Sequence, residues 1–474
     1  MPAPPAHVSP YSGSWYPSDP HDLAKLLDDL FEESEGRTGR YLAQGGVGFV
    51  VPHAGIAYSG AVAAAVYRHL AADGANCVVL LGFSHRGAKP GAWIADIDAV
   101  RTPLGEVSVD CQMRSALLEG GAFQTLPEAA LCDHSVEIQL PLLQRAAPGA
   151  RIVPVYVSAL DGEARTAAAR RLGSLMRPGV AVVASSDFTH YGRSFQYEPF
   201  PADGWVSERL RELDESVMEA AGSLSPAVFL EKLRETGATV CGYEPISLLL
   251  ETLRLRGGCE VFQEALDYRT SGELTGEFRQ SVSYSALGYF PESAFRLERE
   301  EQTLLMGSAR STLGHYLETG ERKPIPPARI PPALERRAGA FVTLHKQGEL
   351  RGCIGRRAAR EPLWQTVPAM TLAAALEDNR FRPVRKGDEG IEVEISVLSP
   401  FKLLSGLDEF RVNEHGALLE AGTQQGLLLP QVATERGWSA RQFLDALARK
   451  SGVGSGVYSD PHTRVFVFRA QVIE

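Results

Sequence analysis

The 474 residues hold no uninterrupted apolar run of the roughly 20 residues that a membrane-spanning helix needs. A membrane-embedded function is therefore not expected. No stretch is strongly basic, and 48 Lys and Arg stand against 58 Asp and Glu, for a net charge of −10. A nucleic-acid backbone demands a positive surface, so it is not an expected partner. Cysteine is scarce: Cys77, Cys111, Cys132, Cys241, Cys259 and Cys353 lie scattered, without a CxxC pair. That excludes a disulfide framework and a zinc knuckle, and reads as the reduced thiols of a cytoplasmic protein. The proline-rich, polar segment from Met1 to Pro20 lacks the basic region and apolar run of a secretory signal. No internal repeat or low-complexity tract interrupts the chain.

What is present is a globular composition, 44% hydrophobic and 22% charged, in a chain longer than one ordinary core supplies. Two domains are the expectation. Val47 to Val51, Cys77 to Leu81, Ile152 to Val157 and Val180 to Ala184 are short, nearly continuous apolar runs, the pattern of strands buried between helix layers. Ala61 to Ala72 and Glu163 to Met176 have helical spacing between them, giving a βαβ alternation. A polar strand pair is expected around Trp93 to Val109, turning at Thr102 to Gly105, and a late strand at Gln280 to Phe290.

The boundary falls near Pro291 to Ser293, dividing the chain into domains 1–293 and 294–474. The second opens on a charged helix, Phe295 to Leu317. The proline-rich Thr319 to Pro332 that follows is read as a loop inside that domain, with a free linker as the competing reading. Strands at Ala340 to His345, Gly390 to Leu398 and Val465 to Val472 are expected, with helices at Pro362 to Glu377 and Ala440 to Lys450.

Three predicted strands end on ligand-type residues: His53 in Pro52-His53-Ala54-Gly55, His85 in Ser84-His85, and Asp187 and His190 in Ser185-Ser186-Asp187-Phe188-Thr189-His190. In a parallel sheet such ends converge on one crevice. Each histidine alone reads more simply as a hydrogen-bonded structural residue; three together point to a shared polar site, and imidazoles on rigid strand ends suit a metal. Asp133 or Ser135 caps the helix that follows, while His134 and Glu137 belong either to that cap or to the site. Cys241, before Gly242 at a helix start, is a soft ligand or a small buried residue.

The block from Ser9 to Phe290 resembles the Memo family, relatives by fold of class III extradiol dioxygenases. The resemblance rests on Gly13-Ser14-Trp15-Tyr16-Pro17, Pro52-His53-Ala54-Gly55 with Tyr58-Ser59-Gly60, Ser84-His85-Arg86-Gly87 and Thr102-Pro103-Leu104-Gly105. It continues through Asp133 to Glu137, Ser185 to Gly192 and Cys241-Gly242-Tyr243. It implies a metal site on His53, His85 and Cys241, with His190 and Asp187 as the remaining pocket residues in catalytic roles. Trp15, Tyr58 and His134 stand on the substrate side. Extradiol dioxygenases place a carboxylate where this chain has Cys241; a thiolate is softer, so copper joins iron(II) as the expected metal and ring cleavage is less secure. Glu244 is the alternative third ligand.

From Glu298 to Glu474 the chain is similar to the AMMECR family. The matching runs are Phe341 to Leu344, Leu350-Arg351-Gly352-Cys353-Ile354-Gly355, Asp378-Asn379-Arg380-Phe381-Arg382-Pro383-Val384, Ile395 to Leu398, Gly426 to Val432 and Gly437-Trp438. Lys450 to Val453 and Asn413 to Gly416 depart mildly from the family's form. Arg351, Arg356 and Arg357 near Cys353 would favour a thiolate; a small residue packed between glycines is the simpler reading. Together the two resemblances imply an α/β fold: a dioxygenase-like domain with a largely parallel sheet, plus a smaller α+β domain.

The fusion is similar to arrangements that accompany a radical S-adenosylmethionine protein. This chain has no CxxxCxxC motif, so such a protein would be a partner in trans. The expected function is a non-haem metal-dependent oxidoreductase acting on a small, aromatic or phenolic compound. The competing readings are a binding module for a peptide or a metal, as associated with Memo relatives, and metal-assisted hydrolysis.

Overall fold

The computed structural model describes residues 6–87, 89–127, 131–358 and 360–474, with Cys259 known by its backbone alone. The chain divides into two compact units: one runs to Thr38 and resumes over Ala43–Pro291, and the other takes Gly39–Leu42 with Glu292–Glu474.

In the first unit, β1 (Gly48–Val51) leads into α1 (Ile56–Ala72) and β2 (Cys77–Gly82). The short α2 (His134–Glu137) precedes β3 (Arg151–Ser158) and β4 (Val180–Ser185). Every residue of β1, β2 and β4 is buried, which is why these runs are apolar on both faces. β1 pairs parallel with β4, β4 with β2, and β2 with β3. The C-terminal ends of β1, β4 and β2 therefore share one edge.

Antiparallel strands flank this parallel centre. After α3 (Tyr243–Gly257) comes β5 (Gln280–Pro291), which pairs with β1, with Val261–Thr270 and with His190–Gly192. On the far side Gly91–Ala95 runs antiparallel to β3. The polar pair expected around Trp93 to Val109 is present, turning at Thr102 to Gly105. Gly91–Ala95 joins the large sheet, while Ala99–Thr102 and Gly105–Ser108 form a hairpin beside His7–Val8 in a small one.

One face of the large sheet packs Val79, Leu81, Val153, Val155, Val182 and Ala184 against Leu248, Leu249 and Leu253 of α3. Each fully buried Val or Leu side chain contributes about 1.5–3 kcal/mol, so the strand ends rest on a rigid base. No helix among the described residues is long and apolar enough to cross a membrane.

The second unit begins with α4 (Arg299–Thr319). Ile325, in the proline-rich stretch that follows, accepts from the Ser308 hydroxyl and donates its N–H to Thr312, which lays that stretch along α4. One four-stranded sheet comprises β6 (Ala340–Lys346), β7 (Glu349–Arg356), β8 (Ile391–Leu398) and β9 (Ala470–Ile473), in the order β7-β6-β8-β9. The helix α5 (Leu363–Leu376) covers one face of it, with Val342, Leu344, Val367, Ala374, Val393 and Ile395 in the core between. A second sheet of Lys402–Leu403, Arg464–Phe468, Gly416–Ala421 and Gln424–Leu428 packs with α6 (Ala440–Lys450).

The single last strand expected over Val465 to Val472 is in fact two, in different sheets. Ser399 draws the backbone of Arg469 out of both ladders: its hydroxyl accepts the Arg469 N–H, and its own N–H donates to the Arg469 carbonyl.

Candidate metal centre

The shared edge of β1, β2 and β4 delivers His53, His85 and Asp187 directly after the strands, and α2 brings His134 to the same place. The ligand nitrogens of His53, His85 and His134 all lie within 4.8 Å of one another. The rings of His85 and His134 stack at 4.1 Å, and both stand edge-on to His53 at 5.6 and 5.4 Å. Cys241 reaches the group from the turn before α3, with Sγ 3.2 Å from His53 Nε2. Gly242 permits this approach. A Cβ there would sit 2.4 Å from the Ser185 carbonyl oxygen and 2.6 Å from Ser186 Cβ, so only glycine lets the turn close on the end of β4.

Asp133 organises the cluster. Its carboxylate caps α2 by accepting the Ser135 N–H at 2.9 Å, accepts the His85 N–H at 3.0 Å, and meets His85 Nδ1 at 2.9 Å and His134 Nδ1 at 3.3 Å. A carboxylate at Nδ1 places the ring proton there and leaves Nε2 with its lone pair. His53 is oriented by Ser185 Oγ, 3.1 Å from its Nδ1. Behind it the buried Gln139 donates to the Pro52 carbonyl and to Ser185.

Burial, then the neighbouring His85, lowers His53 to about 3; burial, then His53, lowers His134 to about 4. Both rings are neutral near pH 7 and free to bind a cation. Burial pushes the Asp133 carboxyl up, but hydrogen bonds from His85 and the Ser135 N–H outweigh it and bring it down to about 2. Burial, then Asp187, raises the Cys241 thiol. Cys241 is therefore a thiol, its Sγ beside His53 Nε2 and 3.6 Å from the Asp187 carbonyl oxygen to which it donates, and a metal would take that proton's place. Neutral imidazoles and one thiol, converging on one sheet edge, are a donor set suited to iron, copper or zinc.

Several expected roles change. His134, expected on the substrate side, stands within the imidazole group. Cys241, expected as the third member of a triad, lies beside His53 but outside the set of mutually close ligand atoms. Asp187, expected to orient His190 or bind substrate, turns its Oδ1 to the N–H groups of His53 and Ala54, from which it accepts hydrogen bonds at 2.8 and 3.3 Å. The His190 ring is held instead by the carbonyls of Phe188 and Thr239, at 3.0 and 3.1 Å from Nδ1. Glu244 pairs with Arg165 at 3.4 Å and is not part of the cluster. Trp15 tilts against His134 with ring centres 4.4 Å apart, and Tyr58 stands exposed on the first turn of α1.

Sequence reasoning read Asp133 as a cap alone and gave Tyr11 and Ser185 no role. Tyr11 stands edge-on to both Trp15 and His134. The available signal was the adjacency of Asp133 to His134, since a cap carboxylate beside an imidazole can serve both. His7, Cys132 and Glu137 form another compact buried set, in which His7 Nε2 lies 3.0 Å from Glu137 Oε1 and ties the strand His7–Val8 to α2.

In the second unit, Cys353 and Arg351 lie on β7. Arg356 and Arg357, expected to act on the thiol, pair with Glu361 and Glu420 beyond the strand's end. The guanidinium nearest to Cys353 in the hydrogen-bond network is that of Arg380, which is joined to Asp378 at 2.7 Å.

A profile of Memo-like proteins matches residues 8–288, and one of AMMECR1 matches residues 306–473. A MEMO1 family protein of Methanosarcina barkeri is 35% identical over 281 residues, covering 58% of this chain and 97% of its own. A protein of Pyrococcus furiosus is 38% identical over 191 residues, covering 38% of this chain and 90% of its own. The solved structure of an uncharacterised Pyrococcus horikoshii protein shares 34% identity at a TM-score of 0.35, covering 37% of this chain and 92% of that one. The chain belongs to the Memo family, with an AMMECR1 domain fused behind its Memo domain.

Proposed function

We propose that the first unit is a non-haem metal-dependent oxidoreductase acting on a small phenolic compound. His53, His85 and His134 would hold iron(II) or copper, with Cys241 as the soft donor beside them. The observation that carries this reading is the convergence of three imidazoles, two of them lowered far enough to be neutral, on one sheet edge. Iron or copper bound there would supply Lewis acidity and electron transfer.

The chain's own residues do the rest. Asp133 and Ser185 fix ring orientation, and Asp187 fixes the backbone of the loop that carries His53. His190, with Nδ1 donating to carbonyls, keeps Nε2 as a proton acceptor for a substrate hydroxyl. Trp15 and Tyr58 offer aromatic surface for a flat ring. The setting is a reducing cytoplasm, with a radical S-adenosylmethionine protein as partner in trans, as the fusion of these two domain types suggests.

Exposed Tyr58 and Tyr243, on the first turns of α1 and α3, favour a second reading, in which the same pocket binds a peptide or stores a metal without turnover. His190 separates the two. For the oxidoreductase, metal-loaded wild type consumes oxygen with a member of a catechol and phenol panel, and His190→Ala loses about 100-fold in rate while keeping its metal. Oxygen consumption indifferent to His190→Ala, or none with any phenol, contradicts catalysis and leaves the binding module.

A further inference from the structure

Besides His134, α2 carries a donor to a second group of ligand-type side chains. Glu137 ends the helix, Cys132 stands just before its Asp133 cap, and His7 comes from the strand His7–Val8. One ligand atom from each of His7, Cys132 and Glu137 lies within 4.8 Å of the other two. None of the three belongs to the group of His53, His85 and His134.

The scaffold, not the contact itself, brings these donors together. His7 stands opposite Val100 in a parallel pairing, and strand alternation turns it inward while Val8 is left exposed. α2 is fixed to the end of β2 separately: the Ser135 hydroxyl donates to the Phe83 carbonyl at 2.6 Å and accepts the Phe83 N–H at 3.1 Å. His7, Cys132 and Glu137 are 8%, 8% and 1% exposed. Glu137 Oε1 meets His7 Nε2 at 3.0 Å, but Oε2 is buried and accepts no hydrogen bond among the described residues. A carboxylate oxygen withdrawn from water without a partner is costly, and folded proteins seldom leave one.

The chemistry of the set names the partner that would satisfy it. An imidazole nitrogen, a sulfur and a carboxylate mix soft and hard donors, which suits zinc better than copper(I). A Cys132 thiolate and the Glu137 carboxylate together balance the two charges of that ion, so it can be buried without net charge. Around zinc, with bonds of about 2.0–2.3 Å, donors from different residues stand about 3.3–3.6 Å apart. The pair of His7 and Glu137 is already close to that separation.

We infer that His7, Cys132 and Glu137 form a structural zinc site that clamps the strand His7–Val8 to α2. Both Glu137 oxygens, the Cys132 sulfur and His7 Nε2 supply four donor atoms. On binding, the Cys132 thiol proton passes to solvent, and His7 carries its one ring proton on Nδ1, leaving Nε2 for the ion. This is a mixed-ligand site, unlike the CxxC knuckle that the sequence excludes. It does not depend on the oxidoreductase reading, with which it shares no ligand.

The full chain carrying Cys241→Ser tests the site when produced in zinc-poor medium supplemented with cobalt(II). The ion is then present as the chain folds, and Cys241 cannot supply the sulfur. Near-ultraviolet absorption should show a sulfur-to-cobalt band, and adding His53→Ala should leave it in place. Cys132→Ser in the same background should abolish the band, with circular dichroism confirming the fold. Glu137→Gln, isosteric and decisive even where Cys132→Ser does not fold, should make the cobalt about tenfold easier to strip with a chelator. Zinc supplied at equal concentration should suppress the band. No band in Cys241→Ser, a band that survives Cys132→Ser or disappears with His53→Ala, chelator resistance unchanged by Glu137→Gln, or a band indifferent to zinc overturns the inference.

Discussion

One carboxylate, Asp133, carries more of the first site than any imidazole does, because it caps α2 and orients two of the three rings. Asp133→Ala should weaken metal binding by about 10–100-fold, read by competition with a chelator. It should also lower stability by about 1 kcal/mol through the lost cap; unchanged affinity would show that the rings hold themselves. Asp378 supplies a pH test. The hydrogen bond from Arg380, against a smaller effect of burial, lowers its carboxyl to about 2, below the roughly 3.9 of an unfolded chain. Its contribution is therefore complete above the unfolded value and is lost as pH falls toward 2. Because Arg380 is exposed, the loss is small. Asp378→Asn should flatten the acid limb of the second unit's stability curve between about pH 4 and 2, and an unaltered limb would contradict the pairing. His53 and His85 were legible as strand-end histidines, whereas His190 opens the separate short strand His190–Gly192. The place of His134 was not, because a four-residue helix has no apolar period to betray which way it faces.

Among elements, the buried parallel strands were the most legible, since burial on both faces leaves an unmistakable apolar run. β7 was missed: Gly352 and Gly355 erase the alternation that marks a strand. The end of the chain was read as one strand because Arg469 and its tie to Ser399 leave no local mark. The approach of the α3 turn to β4 is testable at Gly242. Gly242→Ala should destabilise by about 1–3 kcal/mol and reduce metal loading, because the Ser185 carbonyl oxygen is backbone and cannot swing aside. Gly307→Ala, in α4 with open space around it, should instead stabilise by about 0.5–1 kcal/mol. Thermal melts of both variants decide the matter, and equal shifts of one sign would refute it.

For the molecule as a whole, chain length pointed to two globular units, yet four residues of the first segment, Gly39–Leu42, fold with the second unit. Arg40 pairs with Glu335, the Tyr41 hydroxyl donates to the Ala294 carbonyl at 2.7 Å, and Arg336 lies over the Tyr41 ring. Such an excursion has no signature in a sequence, because its partners lie some 250 residues away. Tyr41→Ala should raise hydrogen exchange in 292–336 while leaving β1 and β2 protected; unchanged exchange in 292–336 would show the tie to be idle.

The account as a whole depends on three imidazoles and a sulfur holding one ion. The most direct test is anaerobic purification followed by elemental analysis of wild type, His53→Ala, His134→Ala and Cys241→Ser. About one iron or copper per chain is expected in wild type, with little in either histidine variant and a reduced amount in Cys241→Ser. Equal iron and copper content in all four proteins would contradict the site.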